Sequence, residues 1–239
     1  MLSNMAHQYT IHSNHHHYEW DRQLPPALIL APGDTAEFST IDASGGQLTI
    51  DSGPTDVKTI NFEKVNPVTG PIFIDGAEPG DALKITIQSF TPSGWGWTAI
   101  IPSFGLLADQ FPEPEINTWT YDKSALTPSA FGPGGRVPLK PFCGTIGLAP
   151  AKYGKHSVLP PSRVGGNMDI RDLACGTVLY LPVEVSGGLF SVGDTHAAQG
   201  DGEVCGTALE SPMNVALTFN LLKEEDLPFP RYETSGPVS

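Results

Sequence analysis

Glycine and proline interrupt this chain so often that long helices are excluded. The 26 Gly and 23 Pro supply about a fifth of the 239 residues. Few windows of even about twelve residues, the length at which an isolated helix becomes marginal, escape both. Such a composition suggests disorder when the intervening segments are polar. Here they are apolar: 39% of residues are hydrophobic and only 16% charged. Short apolar runs between turn signals are the pattern of many strands joined by tight turns. The length permits one large all-β domain or two small ones, and a chain of this size hides roughly 70% or more of its unfolded surface.

Period-two alternation marks the strands. In Ala82-Leu83-Lys84-Ile85-Thr86-Ile87-Gln88, Leu83, Ile85 and Ile87 share one face, as in a half-buried strand. Asn214 to Leu222 alternates through Val215, Leu217, Phe219 and Leu221. Residues 177–183 read as a more fully buried strand whose Pro182 marks an edge or an end. Further strands are expected at 27–31, 35–41, 47–51, 56–62, 71–75, 97–101 and 144–148. Pro32-Gly33-Asp34 and Pro79-Gly80-Asp81 each open an alternating strand, which reads as shared turn chemistry rather than duplication. The expected fold is therefore all-β, a sandwich or barrel-like architecture of short strands with very little helix. It forms one compact unit over residues 1–239: a β-rich half at about 1–110, a surface excursion at about 111–140, a second β-rich half at about 141–222, and a Pro-rich tail at 223–239 that reads as disordered.

A net charge of −13 repels phosphate backbones and anionic membrane surfaces, so neither nucleic acid nor membrane is an expected partner. No apolar run approaches the roughly 20 residues of a spanning helix. Met1 to Asp21 is polar and His-rich, unlike a secretory signal. Three cysteines, Cys143, Cys175 and Cys205, are too few and too odd in number for a disulfide framework. A reducing cytoplasm is the expected location.

The chemistry is concentrated in Gly193-Asp194-Thr195-His196-Ala197-Ala198-Gln199-Gly200-Asp201-Gly202-Glu203-Val204-Cys205-Gly206-Thr207. Two Asp, one His, one Gln and one Glu fall among small residues. On an extended chain Asp194 and His196 project to the same side. A carboxylate beside an imidazole holds the ring's tautomer, or both bind one metal. Gly200 and Gly202 allow a sharp reversal, returning Glu203 on the next strand toward the same cavity. Gly-Asp and Asp-Gly are also ordinary turn dipeptides, and a lone His is often structural. Packing alone, however, does not ask for so many polar groups among glycines. A second cluster, Gly165-Gly166-Asn167-Met168-Asp169-Ile170-Arg171-Asp172, puts Asn167 and Asp169 on one face if extended; its bland reading is a glycine turn before a strand with a surface ion pair.

Together these segments resemble the acetamidase/formamidase family. The resemblance rests on Gly165–Asp169, Leu181-Pro182-Val183 and above all Gly193–Glu210. It extends upstream through Asp42 with Gly45-Gly46-Gln47, Gly70-Pro71 and Gly76–Asp81, and through Phe142–Pro150, so that it runs from about residue 17 to about residue 222. It implies a β-rich fold that hydrolyses small linear amides such as formamide or acetamide to a carboxylate and ammonia, with lactams as rival substrates. It also implies a divalent metal, zinc first, and a homo-oligomer. Amide hydrolysis needs an activated water, a polarised carbonyl and a proton for the departing ammonia, and a metal supplies the first two. On this reading Glu203 is the general base and acid. Asp194, His196, Asp169 and His17 are the candidate metal ligands, with His196 also catalytic, and Gln199 and Asn167 bind the amide. The competing class is a catalytically inactive small-molecule binding protein on the same scaffold.

Two departures from the family pattern stand out. His17 and Trp20 match its N-terminal motif, but Asp21 stands where that motif has a second His. Family members continue past the Glu210 strand into a helix-containing segment, whereas this sequence runs into its Pro-rich tail. Cys205, within an expected buried strand, reads as a structural thiol rather than a nucleophile. Trp95 and Trp97 read as core first and as pocket wall second.

Overall fold

The computed structural model describes residues 8–234. Two large sheets face each other. One has six strands in the order Gln8–Ile11, Thr35–Ser39, Met213–Leu222, Ala82–Pro92, Val178–Pro182, Arg231–Glu233. The other follows the path Gly165–Asn167, Phe142–Gly147, Phe190–Ala198, Leu209–Glu210, Trp95–Ile100, Glu115–Thr120. Val68–Ile74 branches from Phe190–Ala198 and carries His16–His17 and Leu28–Leu30. Among the described residues neither sheet closes on itself, so the architecture is a sandwich and not a barrel.

The alternation read from the sequence is what fills the space between the sheets. Leu83, Ile85 and Ile87 are fully buried, as are Val215, Leu217 and Phe219, and the two strands pair with Ile85 opposite Phe219 and Ile87 opposite Leu217. Phe38 and Phe219 from one sheet meet Phe190 from the other, with ring centroids 5.0–6.1 Å apart and edge-to-face, the arrangement aromatic quadrupoles favour. Pro182 ends its strand, where it removes no ladder hydrogen bond.

Two expected strands are absent. Residues 47–51 form a turn, in which Ser52 Oγ accepts from the Thr49 N–H. The 56–62 segment instead contributes a short helix, Pro54–Val57, and the start of a 3-10 turn, Phe62–Lys64. There Asp56 Oδ2 caps Gly53 N–H and Asn61 Oδ1 caps Glu63 N–H. These local side-chain bonds outcompete the apolar pattern. In the opposite direction, the 111–140 excursion is not structureless. Glu115–Thr120 is an edge strand paired with Trp95–Ile100, and Ser129–Phe131 pairs with Gly135–Val137 as a separate hairpin. An edge strand needs fewer apolar residues, which is why its sequence carries little signal.

The tail is also ordered as far as it is described. Arg231–Glu233 pairs with Val178–Tyr180, Leu227 is buried, and Arg163 bonds Asp226 and the carbonyls of Leu227 and Pro228. The two Pro-Gly-Asp turns share one hydrogen-bond scheme. Asp34 Oδ2 accepts from Ala31 N–H while Asp34 N–H returns to Ala31 O, and Asp81 and Glu78 repeat the pattern. Asp81 adds a role of its own, accepting from Lys223 Nζ at 2.6 Å and from the Glu224 N–H at 3.0 Å, so that one buried carboxylate ties the tail to the sandwich.

Burial raises the Asp81 pKa, but the Lys223 ammonium and the two N–H donors override it and hold the group below the usual carboxylate range. A depressed folded pKa adds stability that is present above the unfolded value, about 4, and is lost as pH falls through the folded one. Asp81→Asn therefore lowers the thermal unfolding midpoint at pH 7. Its difference from the parent protein shrinks as melts are repeated at pH values below about 4.

Candidate active site

The site is built on the strand Phe190–Ala198, every residue of which is buried. Its pairing with Phe142–Gly147 sets Phe142 opposite His196, and Gly144 falls opposite Asp194. A Cβ on Gly144 would lie 2.8 Å from Asp194 Oδ2 and 2.8 Å from Asp169 Oδ1. The missing side chain is thus the space that two carboxylates occupy. Gly144 O also accepts from the Met168 and Asp169 N–H groups at 3.0 and 3.2 Å, which delivers Asp169 from the loop after Gly165–Asn167.

On the other side of the same strand, His196 pairs with Glu210 of Leu209–Glu210. His196 Nε2 lies 3.2 Å from Asp194 Oδ1 and 3.1 Å from Glu210 Oε2. One ring nitrogen cannot donate a single hydrogen to both, and Glu210 Oε2 is left buried without a hydrogen bond. His196 Nδ1 meets Gln199 Oε1 at 2.9 Å, and the edge of the ring packs on Phe142 at 4.9 Å between centroids. Asp194 Oδ2 lies 3.0 Å from Thr145 Oγ1 and 3.1 Å from Asn66 Nδ2.

Glu203 arrives differently from the expected return strand. Asp201–Glu203 is a 3-10 turn with Gly202 at φ 75°, and its half-buried Glu203 reaches His196 and Asp169 from there. The returning strand brings Glu210 instead. Three of the acidic residues hold left-handed backbone: Asp169 at φ 49°, Asp194 at φ 50° and Glu203 at φ 43°. Such conformations cost non-glycine residues about 1–3 kcal/mol each and cluster at functional sites.

The electrostatics follow from burial without a counter-cation. Among the described residues no Lys or Arg side chain bonds Asp169, Asp194, Glu203 or Glu210. Burial, then the Asp194 charge, pushes the Asp169 carboxyl up to about 6. Burial, then Asp169 and Glu210, lifts Glu203 to about 8, and burial holds Glu210 at about 7 against the opposing pull of His196. Burial alone would raise Asp194 and lower His196; their mutual attraction, with Glu210 acting on His196, reverses both shifts.

The residues fit a divalent cation. Asp194, His196 and Glu210 form one group of ligand atoms and Asp169, His196 and Glu203 a second, the atoms of each lying within 4.8 Å of one another. The 3.1 and 3.2 Å separations about His196 Nε2 approach the roughly 3.3 Å edge of a tetrahedron with bonds of about 2.0 Å. The buried oxygens Asp169 Oδ1 and Glu210 Oε2 have no hydrogen-bond partner, although buried charges are normally paired or bind metal.

Other expected residues take other places. His17 is outside both ligand groups. Its ring nitrogens meet Glu19 O and Ser191 Oγ, each at 2.8 Å, and burial lowers its pKa to about 4, so it stays neutral and fully engaged. Gln199 spends its amide on His196 Nδ1 and on Asp169 O; it orients the imidazole rather than offering itself to an amide. Asn167, Asp169, Asp194, Glu203 and Glu210 line a cavity of about 160 Å3. Trp97 is both core and cavity wall, and donates from Nε1 to Asp42 Oδ1 at 2.9 Å. Cys205 lies in a turn, not a buried strand, with Sγ 3.3 Å from Thr207 O. Burial raises the Cys143 thiol to about 12. Sequence reasoning missed Glu210, Asn66 and Thr145. Glu210 closes the quoted motif, yet only the strand register reveals that it faces His196.

Comparison with known proteins identifies the family. The profile described as "Acetamidase/Formamidase family" matches residues 3–157 and 151–237. A formamidase of Methylophilus methylotrophus is 28% identical over 263 residues, covering 87% of this chain and 64% of that protein. An acetamidase of Mycolicibacterium smegmatis is 28% identical over 269 residues, covering 87% of this chain and 66% of that protein. The chain thus spans slightly under two thirds of the length of these relatives. Among solved structures, a predicted acetamidase/formamidase from Thermoanaerobacter tengcongensis superposes with a TM-score of 0.90 at 31% identity, over 97% of this chain and 75% of that one. A gamma lactamase from Delftia acidovorans gives 0.87 at 25% identity, over 95% of this chain and 69% of that one. With the profile spanning nearly the whole sequence and the same sandwich in the solved relatives, the chain belongs to the acetamidase/formamidase family.

Proposed function

We propose that the protein hydrolyses a primary amide to a carboxylate and ammonia, using a divalent metal, zinc by its donor set, held by Asp194, His196 and Glu210 with Asp169 beside them. The observation that carries this reading is the pair of buried, unpartnered oxygens, Asp169 Oδ1 and Glu210 Oε2, in the wall of a small cavity. The family membership and the names of the relatives support the reaction class. A cavity of 160 Å3 matches the roughly 150 Å3 in which an engineered protein holds benzene, so formamide and acetamide fit with room to spare.

A bound divalent cation would polarise the amide carbonyl and acidify a water. The protein's own groups then divide the work. Gln199 holds the His196 ring in one orientation, as partners of metal-binding histidines do. Glu203, on a turn at the cavity wall rather than within the paired strands, suits proton transfer better than rigid ligation. It takes a proton from water as the C–O bond forms and delivers it to the nitrogen as the C–N bond breaks. Asn167 at the cavity wall offers a polar contact to the amide. A lactam is the second reading, favoured by the likeness to the gamma lactamase. Three free cysteines favour a reducing compartment such as the cytoplasm; homo-oligomerisation rests on the family alone.

Ammonia release from formamide, acetamide and propionamide, and formation of 4-aminobutanoate from 2-pyrrolidinone, whose ring opening frees no ammonia, test the proposal, with metal content measured on the same samples. Glu203→Gln is expected to keep its metal and lose about 10²–10⁴-fold in kcat, while His196→Ala loses both metal and turnover. Protein that neither binds a divalent metal nor releases ammonia would sink the mechanism; metal without turnover would leave a binding protein. Gly144→Ala puts a methyl where the Asp169 and Asp194 carboxylates lie, so its metal content falls and its stability drops by about 1–3 kcal/mol in chemical denaturation.

A further inference from the structure

The acidic cavity has a larger neighbour. A groove of about 780 Å3 lies beyond Phe104, Glu203 and Thr207, the three residues that line both spaces. One bank is the segment 104–111, with Phe104, Leu107 and Phe111; the other is the hairpin at 129–137, whose Phe131 stacks on Trp119 at 5.3 Å and 16°. Phe131 and Phe111 are half exposed, and Phe104 and Leu107 about two-fifths. Apolar side chains left open together on an otherwise acidic protein mark a binding surface. The groove's volume far exceeds what formamide or acetamide needs and falls in the range that holds molecules several times larger.

Its floor is the back of the reactive cluster. Gln199, bonded to His196 Nδ1, and Phe142, packed on the His196 ring, both line the groove, and Glu203 stands at the border. A surface serving only to cover apolar residues would have no reason to converge on three side chains that surround the imidazole. We infer that the groove receives the apolar acyl portion of a larger primary amide, an arylalkyl or medium-chain carboxamide, whose carboxamide end reaches Glu203 in the acidic cavity. This rests on the hydrolase reading and narrows it. Contacts made by a remote apolar group are useful to catalysis when they hold the reacting end in place, and each buried methylene separates substrates by a factor of about ten or more.

The test uses the purified protein supplied with zinc. Specificity constants are measured for acetamide, hexanamide and 3-phenylpropanamide. The parent is compared with Phe131→Ala and Leu107→Asp, one variant on each bank, with melting curves to confirm that both fold. The inference expects kcat/KM to rise about ten-fold or more from acetamide to 3-phenylpropanamide. It expects each variant to remove most of that gain while leaving acetamide turnover unchanged. Calorimetric titration with the product, 3-phenylpropanoate, should show binding that both variants weaken. Acetamide turned over with no gain for the larger amides, and no product binding, would overturn the groove assignment while leaving the hydrolase reading intact. Loss of turnover on every amide would bring down the hydrolase reading itself, and with it the substrate role of the groove. Light scattering that shows a parent oligomer falling apart in both variants would reassign the groove to contact between copies.

Discussion

Four carboxylates and one imidazole converge where, among the described residues, no lysine or arginine bonds to any of them, and much of the local structure follows from that concentration of charge. Asp194 and Glu210 crowd the same face of His196 Nε2, while Asp169 and Glu203 close from the loop and the turn. Ionised carboxylates are costly to bury without a partner, and the raised pKa values of Asp169, Glu203 and Glu210 express that cost. A divalent cation is the partner that this donor set suits, and the left-handed backbone at Asp169, Asp194 and Glu203 is the strain accepted to aim the groups inward.

The sandwich makes this arrangement possible by supplying rigidity from one side only. The phenylalanine triad of Phe38, Phe190 and Phe219 anchors the strand Phe190–Ala198 between the sheets at its first residue. Farther along, the same strand presents Asp194 to the cavity and holds His196 behind it, against Asp194 and Glu210. Glycine governs the neighbouring strand: with Gly144 opposite Asp194, two carboxylates approach a backbone that no side chain shields. Asp194, His196 and Glu210 thus sit on paired strands, whose hydrogen bonds fix positions closely, and Asp169 and Glu203 sit on connections beside them.

Much of the fold was legible in the amino-acid order. Leu83, Ile85 and Ile87, and Val215, Leu217 and Phe219, face the core because a strand turns every second side chain the same way, so their alternation carries its own interpretation. The Pro-Gly-Asp turns were equally readable, since their hydrogen bonds span only four residues. Residues 47–51 and 56–62 misled because short-range caps from Ser52, Asp56 and Asn61 outweigh a few apolar side chains. Glu115–Thr120 and Arg231–Glu233 were hidden because an edge strand takes its stability from the neighbour it pairs with rather than from its own apolar content.

The site divides in the same way. Asp194, His196 and Glu203 declare themselves by density within one short glycine-rich stretch, and Asp169 by a similar cluster, so the sequence by itself determined which residue types and which segments supply the acidic cluster. Only the tertiary structure decided who meets whom. Glu210 joins His196 through the register of two strands. His17 is drawn off to Glu19 and Ser191, and Gln199 turns to the imidazole instead of the cavity. The physical reason is that composition and spacing act along the chain, whereas coordination depends on distances of about 3 Å between atoms, which here are set by strand pairing across many intervening residues.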